Sequence, residues 1–460
     1  MEFIENRTFD ELAVGDSADL TRTLSRADIE LFAVMSGDVN PAHLDDEYAR
    51  SDIFHKIIAH GMWGGALIST VLGTVLPGPG TIYLGQTLHF RRPVAVGDTV
   101  TVTVSVAAKD PERHRVTLDC LCANQAGEPV ITGSAEVIAP TEKIKRPRVA
   151  LPQVLLRERG ANYRGIVARA ASLPPVRAAV VNPVSAAALR GVLEAAERRL
   201  VVPVLVGPEV AVRAAADEAG MSLADVEIVP TEDGRAAVAR SVAMARSGEV
   251  CALVDYGARY YGLLHDLLDR AGGLADHRWV SHVAVMDVPS YPRPLLITDA
   301  GLSVAPTLEE KRAIVQNAID LALALGIERP RVAVLAAAQM INPKLRSTLD
   351  AAALCKMVDR GQISGGLVDG PLAFDEAVSE EAARATGLAS SVAGRADILV
   401  APDLEAGTLL VKQLDHLADA QSAAVLVGAR VPVALPEPVG NPDSSLVACA
   451  IASLLAKREG

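Results

Sequence analysis

The stretch Phe32–Gly65, FAVMSGDVNPAHLDDEYARSDIFHKIIAHGMWGG, decides the fold. Within it a carboxylate, Asp38, and an imidazole, His43, are separated by Val39-Asn40-Pro41-Ala42. Pro41 lacks an N–H and biases Asn40 towards extended geometry, so no regular helix runs through the gap. Asp38 and His43 are therefore expected on an irregular loop, where polar side chains can converge on a ligand. Further on, His60-Gly61-Met62-Trp63-Gly64-Gly65 precedes the apolar run Ala66–Leu76. That pattern predicts the start of a buried helix, whose free N–H groups and dipole suit a carbonyl oxygen or an anion. An acid/base pair beside an oxyanion holder is the layout of an active site.

The flanks extend the reading. Ser25-Arg26-Ala27-Asp28 before IELFAVM has the form of a capping box opening a short amphipathic helix. Pro77-Gly78-Pro79-Gly80 stops the apolar helix. Then Val100, Val102, Val104 and Val106 alternate with Thr99, Thr101, Thr103 and Ser105, the period of a half-buried strand. Strands are expected over Val116–Asn124 and Ile131–Ala139, joined by a turn with Ala126-Gly127. One buried helix against several long strands predicts an α+β N-terminal domain over residues 1–142. The basic, proline-bearing segment at 143–154 reads as a linker. From Val176 onward, β-rich runs such as VVPVLVG and HVAVMDV alternate with Ala/Leu-rich helical stretches. That rhythm predicts an α/β domain over 155–460 with a largely parallel sheet covered on both faces. Neither a Walker A nor a Rossmann glycine fingerprint occurs, so nucleoside triphosphate and NAD binding lack a motif.

Composition narrows the function. The 460 residues carry a net charge of −12, which argues against general nucleic-acid or anionic-membrane binding. An anionic cofactor would then need local basic groups. Five cysteines, an odd and small number, suit reduced thiols in a cytosol, and Cys120 with Cys122 read as core thiols, not as a metal site. The start MEFIENRTFDEL lacks the order of a signal peptide, and Ala66–Leu76 is too short to span a bilayer. A cytoplasmic protein is expected.

The stretch FAVMSGDVNPAH, continued by IAHGM, LPGPGTIYLGQTLHFRRPV and GDTV, resembles the MaoC-like (R)-specific enoyl-CoA hydratases. The resemblance implies a hot-dog fold and a coenzyme A thioester substrate, with no metal and no tightly bound cofactor. It implies that Asp38 and His43 hold and activate a water, that the Gly61 N–H binds the thioester oxygen, and that Ser69 is a supporting polar group. Bland roles stand beside these. The glycines permit close packing, a buried serine usually bonds back to its own helix, and His60 reads as a structural cap. Arg91-Arg92 fits either coenzyme A phosphates or a solvated strand end.

A second resemblance, to the phosphate acetyl/butyryltransferase family, rests on SHVAVMDVPSYPRPLLITDAG, NPKLRSTLDAAALCKMVDRGQISGGLVDGPLAFDEAVS and VAGRADILVAPDLEAGTLLVKQL. It implies an isocitrate-dehydrogenase-like two-subdomain fold and acyl transfer between coenzyme A and phosphate. The order of the halves resembles the bifunctional enoyl-CoA hydratase/phosphate acetyltransferase proteins. Where that pattern has Met-Lys-Gly and a nearby His-Thr pair, this chain has Val254-Asp255-Tyr256-Gly257-Ala258-Arg259-Tyr260-Tyr261. Where it has a His-Ser-His-like segment the chain has Thr231-Glu232-Asp233, and where it has His-Pro the chain has Asn182-Pro183. Acids in place of a phosphate counter-charge predict weakened transferase chemistry. Full bifunctionality, or a scaffold that binds coenzyme A or sets oligomer state, stay open. Asn342, Lys344, Thr348 and Asp350 cluster in a strand-to-helix connection, the expected place for a substrate, although helix capping explains them equally. By resemblance both modules self-associate, so a homo-oligomer of at least two copies is expected, with acyl-CoA, and phosphate where the transferase works, as small-molecule partners.

Overall fold

The computed structural model describes residues 3–151, 154, 156, 159–256, 273–275, 278–436 and 443–458. It divides into two compact units, residues 1–156 and 157–460.

In the first unit a short strand β1 (Phe3–Glu5) precedes β2 (Ser17–Thr23). Helices α1 (Arg26–Ser36), α2 (Pro41–Leu44), α3 (Asp46–Ser51) and α4 (Gly61–Thr74) follow, then strands β3 (Ile82–Phe90), β4 (Thr99–Asp110), β5 (Arg115–Ala123), β6 (Pro129–Ile138) and β7 (Lys145–Pro147). Five of the strands form one antiparallel sheet in the order β2-β4-β5-β6-β3. The period-two pattern is realised in β4, where Val100, Val102, Val104 and Val106 are all buried. They meet Trp63, Leu67, Ile68, Val71 and Leu72, the inward stripe of α4, in a single core. One face of a helix that is otherwise apolar is thus buried against one face of a sheet, which is the α+β, hot-dog arrangement expected.

Two sequence expectations are corrected here. His43 sits on the short helix α2, with Pro41 at its first turn and the Asn40 side chain accepting from the Ala42 N–H, not on an irregular loop. Proline blocks a helix from continuing through it but is favoured at a helix start, where its missing N–H is an orphan anyway. Part of the segment read as linker is strand β7, which pairs with β1 from Phe3↔Pro147 to Glu5↔Lys145.

The second unit carries one eleven-stranded sheet. Its strands are β8 (Val176–Val181), β9 (Val201–Gly207), β10 (Glu227–Pro230), β11 (Ala252–Asp255), β12 (Ser281–Asp287), β13 (Leu295–Thr298), β14 (Arg331–Leu335), β15 (Leu367–Leu372), β16 (Ile398–Val400), β17 (Gln421–Val427) and β18 (Val433–Leu435). The order is β10-β9-β8-β11-β18-β17-β12-β13-β16-β14-β15. Both flanks are parallel, and among the described residues of this sheet the antiparallel pairs lie around β17 and β12. Alternate residues serve opposite cores: Val283 and Val285 face one, Ala284 and Met286 the other. Both faces are therefore covered, as continuous apolar strands require.

Candidate active site

Helix α1 opens with the capping box read from sequence. Ser25 Oγ accepts from the Asp28 N–H, and the Asp28 carboxylate accepts from the Ser25 N–H. The helix ends at Gly37, whose φ of +76° is the left-handed cap conformation that glycine adopts without strain. The chain then turns into Asp38, which is exposed. Its N–H donates to Ser36 Oγ at 3.2 Å, and its Oδ1 accepts from the Asn40 N–H at 3.2 Å.

His43 is buried, and its Nδ1 lies 2.9 Å from the Ile58 carbonyl oxygen. A carbonyl only accepts, so Nδ1 carries the proton and Nε2 keeps a lone pair, the form a general base needs. His60, at the N-cap of α4, makes no side-chain cap bond there. Its Nε2 instead lies 3.0 Å from the backbone oxygen of Asp38. The rings of His43 and His60 stack with centroids 4.0 Å apart. One potential ligand atom from each of Asp38, His43 and His60 lies within 4.8 Å of the others.

Gly61 is the first residue of α4, so its N–H has no acceptor within the helix. A Cβ there would lie 3.0 Å from the Phe90 ring, a close approach that a larger side chain could make only by displacing the ring. Beside it opens a pocket of about 310 Å³. His43, His60 and Gly61 share its lining with Ile58, Trp63, Val100, Val130 and Ile131, so the chemistry-bearing edge faces an apolar interior. Arg91 and Arg92 also line it. Arg91 Nε donates to Thr132 Oγ1 at 3.1 Å, and Arg92 pairs with Glu128 at 3.1 Å.

The structure thus brings Asp38, His43 and Gly61 to one place, and Ser69 to another. Ser69 is exposed on α4, eight residues beyond Gly61, or about 12 Å along the helix. The stripe that α4 buries is Trp63, Leu67 and Ile68, and Ser69 lies outside it. His60 is the residue that sequence reasoning set aside. The available signal was a histidine at a cap position where serine, threonine, aspartate or asparagine is favoured.

In the second unit, Asn342 and Lys344 lie between β14 and the helix Arg346–Asp359, and Thr348 and Asp350 lie in the first turns of that helix. Thr348 is fully buried, and its Oγ1 reaches the Asn342 and Leu345 carbonyls at 3.0 and 2.7 Å and the Asn342 N–H at 2.9 Å. Asp350 is buried and pairs with Lys311 Nζ at 2.8 Å, itself buried. Those two residues hold the fold and are not presented to a ligand. Asn342 and Lys344 are exposed. Thr231 and Asp233, read as lost basic positions, act locally: Thr231 Oγ1 donates to the Asp233 carbonyl, and the Asp233 carboxylate caps the helix Gly234–Ser247. Asn182, in left-handed backbone with φ of +47°, fits between Gly207 and Gly234. Asp255 is buried at the end of β11, and Gly257–Tyr261, with Arg259, lies outside the described residues.

Comparison with known proteins agrees with both halves. Residues 12–119 match the family described as MaoC like domain, and residues 235–452 match that described as Phosphate acetyl/butaryl transferase. A phosphate acetyltransferase of Rhizobium meliloti is 45% identical over 298 residues, covering 65% of this chain and 94% of that protein. A crystal structure of a branched-chain phosphotransacylase from Enterococcus faecalis is 26% identical with a TM-score of 0.54, over 61% of this chain and 99% of the other. An unliganded R-hydratase from Pseudomonas aeruginosa is 47% identical over 34% of this chain and 99% of its own, with a TM-score of 0.33. The two family matches, with a phosphate acetyltransferase relative of this identity along nearly its whole length, fit full bifunctionality better than the weakened transferase expected from Asp255 and Thr231–Asp233. The chain belongs to the phosphate acetyl/butyryltransferase family and carries a MaoC-like hydratase domain ahead of it.

Proposed function

We propose that the first unit reversibly hydrates trans-2-enoyl-CoA to (R)-3-hydroxyacyl-CoA, and that the second transfers acyl groups between coenzyme A and phosphate. The observation that carries the first part is His43, its Nδ1 on the Ile58 carbonyl and a ligand atom within 4.8 Å of one from Asp38, lining an apolar pocket together with Gly61. The acyl chain lies in the pocket, and its thioester oxygen accepts from Gly61. Asp38 and His43 hold a water and take its proton as the oxygen bonds to C3. The electrons of the C2=C3 bond move towards the thioester, where the N–H and the helix dipole stabilise the enolate. The enolate then collapses, and the captured proton is delivered to C2, so that one water is added and nothing is left over. The coenzyme A thioester is the substrate, and no resident cofactor takes part.

The identity and coverage of the phosphate acetyltransferase relative support the second part. We read the protein as a homo-oligomer. Strand β3 lies at the edge of its sheet and exposes Ile82, Leu84 and Phe90, an unpaired apolar edge of the kind proteins cover. Among the described residues no helix is long and apolar enough to cross a membrane.

A paired assay tests both parts on one sample. It follows loss of enoyl absorbance with crotonyl-CoA, and phosphate-dependent coenzyme A release from acetyl- and butyryl-CoA. Asp38→Asn and His43→Gln are expected to lower hydration about 10²–10⁴-fold and to leave phosphate-dependent release unchanged. Absence of hydration in the parent protein sinks the first part, and free thiol produced without phosphate would mark a thioesterase instead. Absence of phosphate-dependent release sinks the second.

A further inference from the structure

We infer that His60 is a positioning residue for the hydration site, fixing where Asp38 sits and which nitrogen of its own ring is bare. This rests on the hydratase reading of Asp38 and His43. Three observations converge on it. First, His60 occupies the N-cap of α4, where a side chain normally accepts from the helix N–H groups, and makes no such bond. It reaches instead across 22 residues to the Asp38 carbonyl. The Ser36 and Asn40 bonds of Asp38 span only two residues each, so the His60 bond is what ties this exposed turn to the domain core.

Second, the partners dictate opposite tautomers. Both acceptors are carbonyl oxygens, so His43 is protonated at Nδ1 and His60 at Nε2. In the neutral rings the lone pairs then fall on His43 Nε2 and His60 Nδ1. Third, His60 Nδ1 is buried without a hydrogen-bond partner, and its ring lies against that of His43 at 4.0 Å and against Phe32 at 4.9 Å. A buried orphan acceptor is costly and is kept only where something else requires the ring. When His43 takes the proton of water, the His60 ring 4.0 Å away lies against the new charge.

Two variants separate the contributions in the full chain. His60→Phe keeps a ring for stacking and removes the donor, whereas His60→Gln keeps an N–H within reach of the Asp38 carbonyl. Residues that orient catalytic groups typically cost about 10–100-fold when lost. The kcat for crotonyl-CoA is expected to fall by that factor in His60→Phe, with KM within about threefold, and to recover most of the loss in His60→Gln. Equal losses in the two variants, a change confined to KM, or no loss in His60→Phe would overturn the inference. Nitrogen-15 spectra of the histidine-labelled parent protein give a readout free of activity. They are expected to show His43 as the Nδ1–H form and His60 as the Nε2–H form, and a common or mixed form for the two rings also overturns it. If the parent protein hydrates nothing, the hydratase reading fails while the tautomer pair is still decided by the spectra.

Discussion

Two clusters of polar residues with similar composition end in opposite roles. Around residues 38–61, Asp38 is exposed at a turn, and His43 and His60 each use one ring nitrogen on a carbonyl and leave the other uncommitted. Around residues 342–350, Thr348 uses its hydroxyl on three backbone groups and Asp350 its carboxylate on buried Lys311. What separates a site from a structural knot is hydrogen-bonding capacity left over after the fold is satisfied, together with a pocket for it to face. A carboxylate among polar neighbours at the start of a helix is common to both, and does not discriminate.

The sharpest way to break that contrast is a pair of like substitutions. Asp350→Asn leaves the Lys311 ammonium buried without its counter-charge, and losing one partner of a buried pair costs about 3–5 kcal/mol. Asp38→Asn, at an exposed position, is expected to change stability by less than about 0.5 kcal/mol while abolishing hydration. Guanidinium denaturation, resolved for each unit by hydrogen exchange, checks both. If Asp350→Asn were stable and instead stopped phosphate-dependent acyl transfer, the residue would belong to a site after all.

Thr348→Val is a milder test of the same point. It strands the Asn342 N–H and removes the donor to two carbonyls in a buried position, for which about 1–3 kcal/mol is expected. Acyl transfer at a temperature well below unfolding is expected to be unchanged. A transferase rate that fell with stability intact would return Thr348 to the substrate.

The contrast also explains what could be read before the structure. Hydrophobic period is a strong signal, so β4 was legible from Val100–Val106 and α4 from the run after Gly61. Capping residues with a reciprocal partner were legible as well, as at Ser25 and Asp28. The four-residue gap from Asp38 to His43 was legible as chemistry but not as conformation, because a proline that forbids a helix running through it can also start one. Ser69 was misplaced because spacing along a helix says which stripe a residue shares, whereas burial depends on what the stripe packs against. Thr348 and Asp350 could not be told from ligand groups, since Lys311 lies thirty-nine residues away in sequence. His60 was missed for the same reason, its partner being twenty-two residues back.

The smallest expected effect lies at the start of α1, and it bears directly on the first cluster. Burial works to raise the Asp28 carboxyl, but hydrogen bonds from Ser25 and Arg22 outweigh it and hold it below its ordinary value of 3.8. A carboxyl depressed in the folded state contributes stability above that ordinary value and loses it as pH falls through the folded one. The Arg22 side chain is exposed, so its ion pair adds little, and a cap of this kind is worth about 0.5–1 kcal/mol. Asp28→Asn is therefore expected to lower thermal stability slightly at neutral pH, with the difference from the parent protein closing as the pH drops below 3.8. Thermal melts across that range measure it. Because α1 runs straight into Gly37 and Asp38, the same variant separates two ways of holding the carboxylate. If hydration slows along with the small loss of stability, the helix sets where Asp38 sits. If the rate holds, the bond from His60 to the Asp38 carbonyl suffices, and the turn is anchored from the α4 side alone.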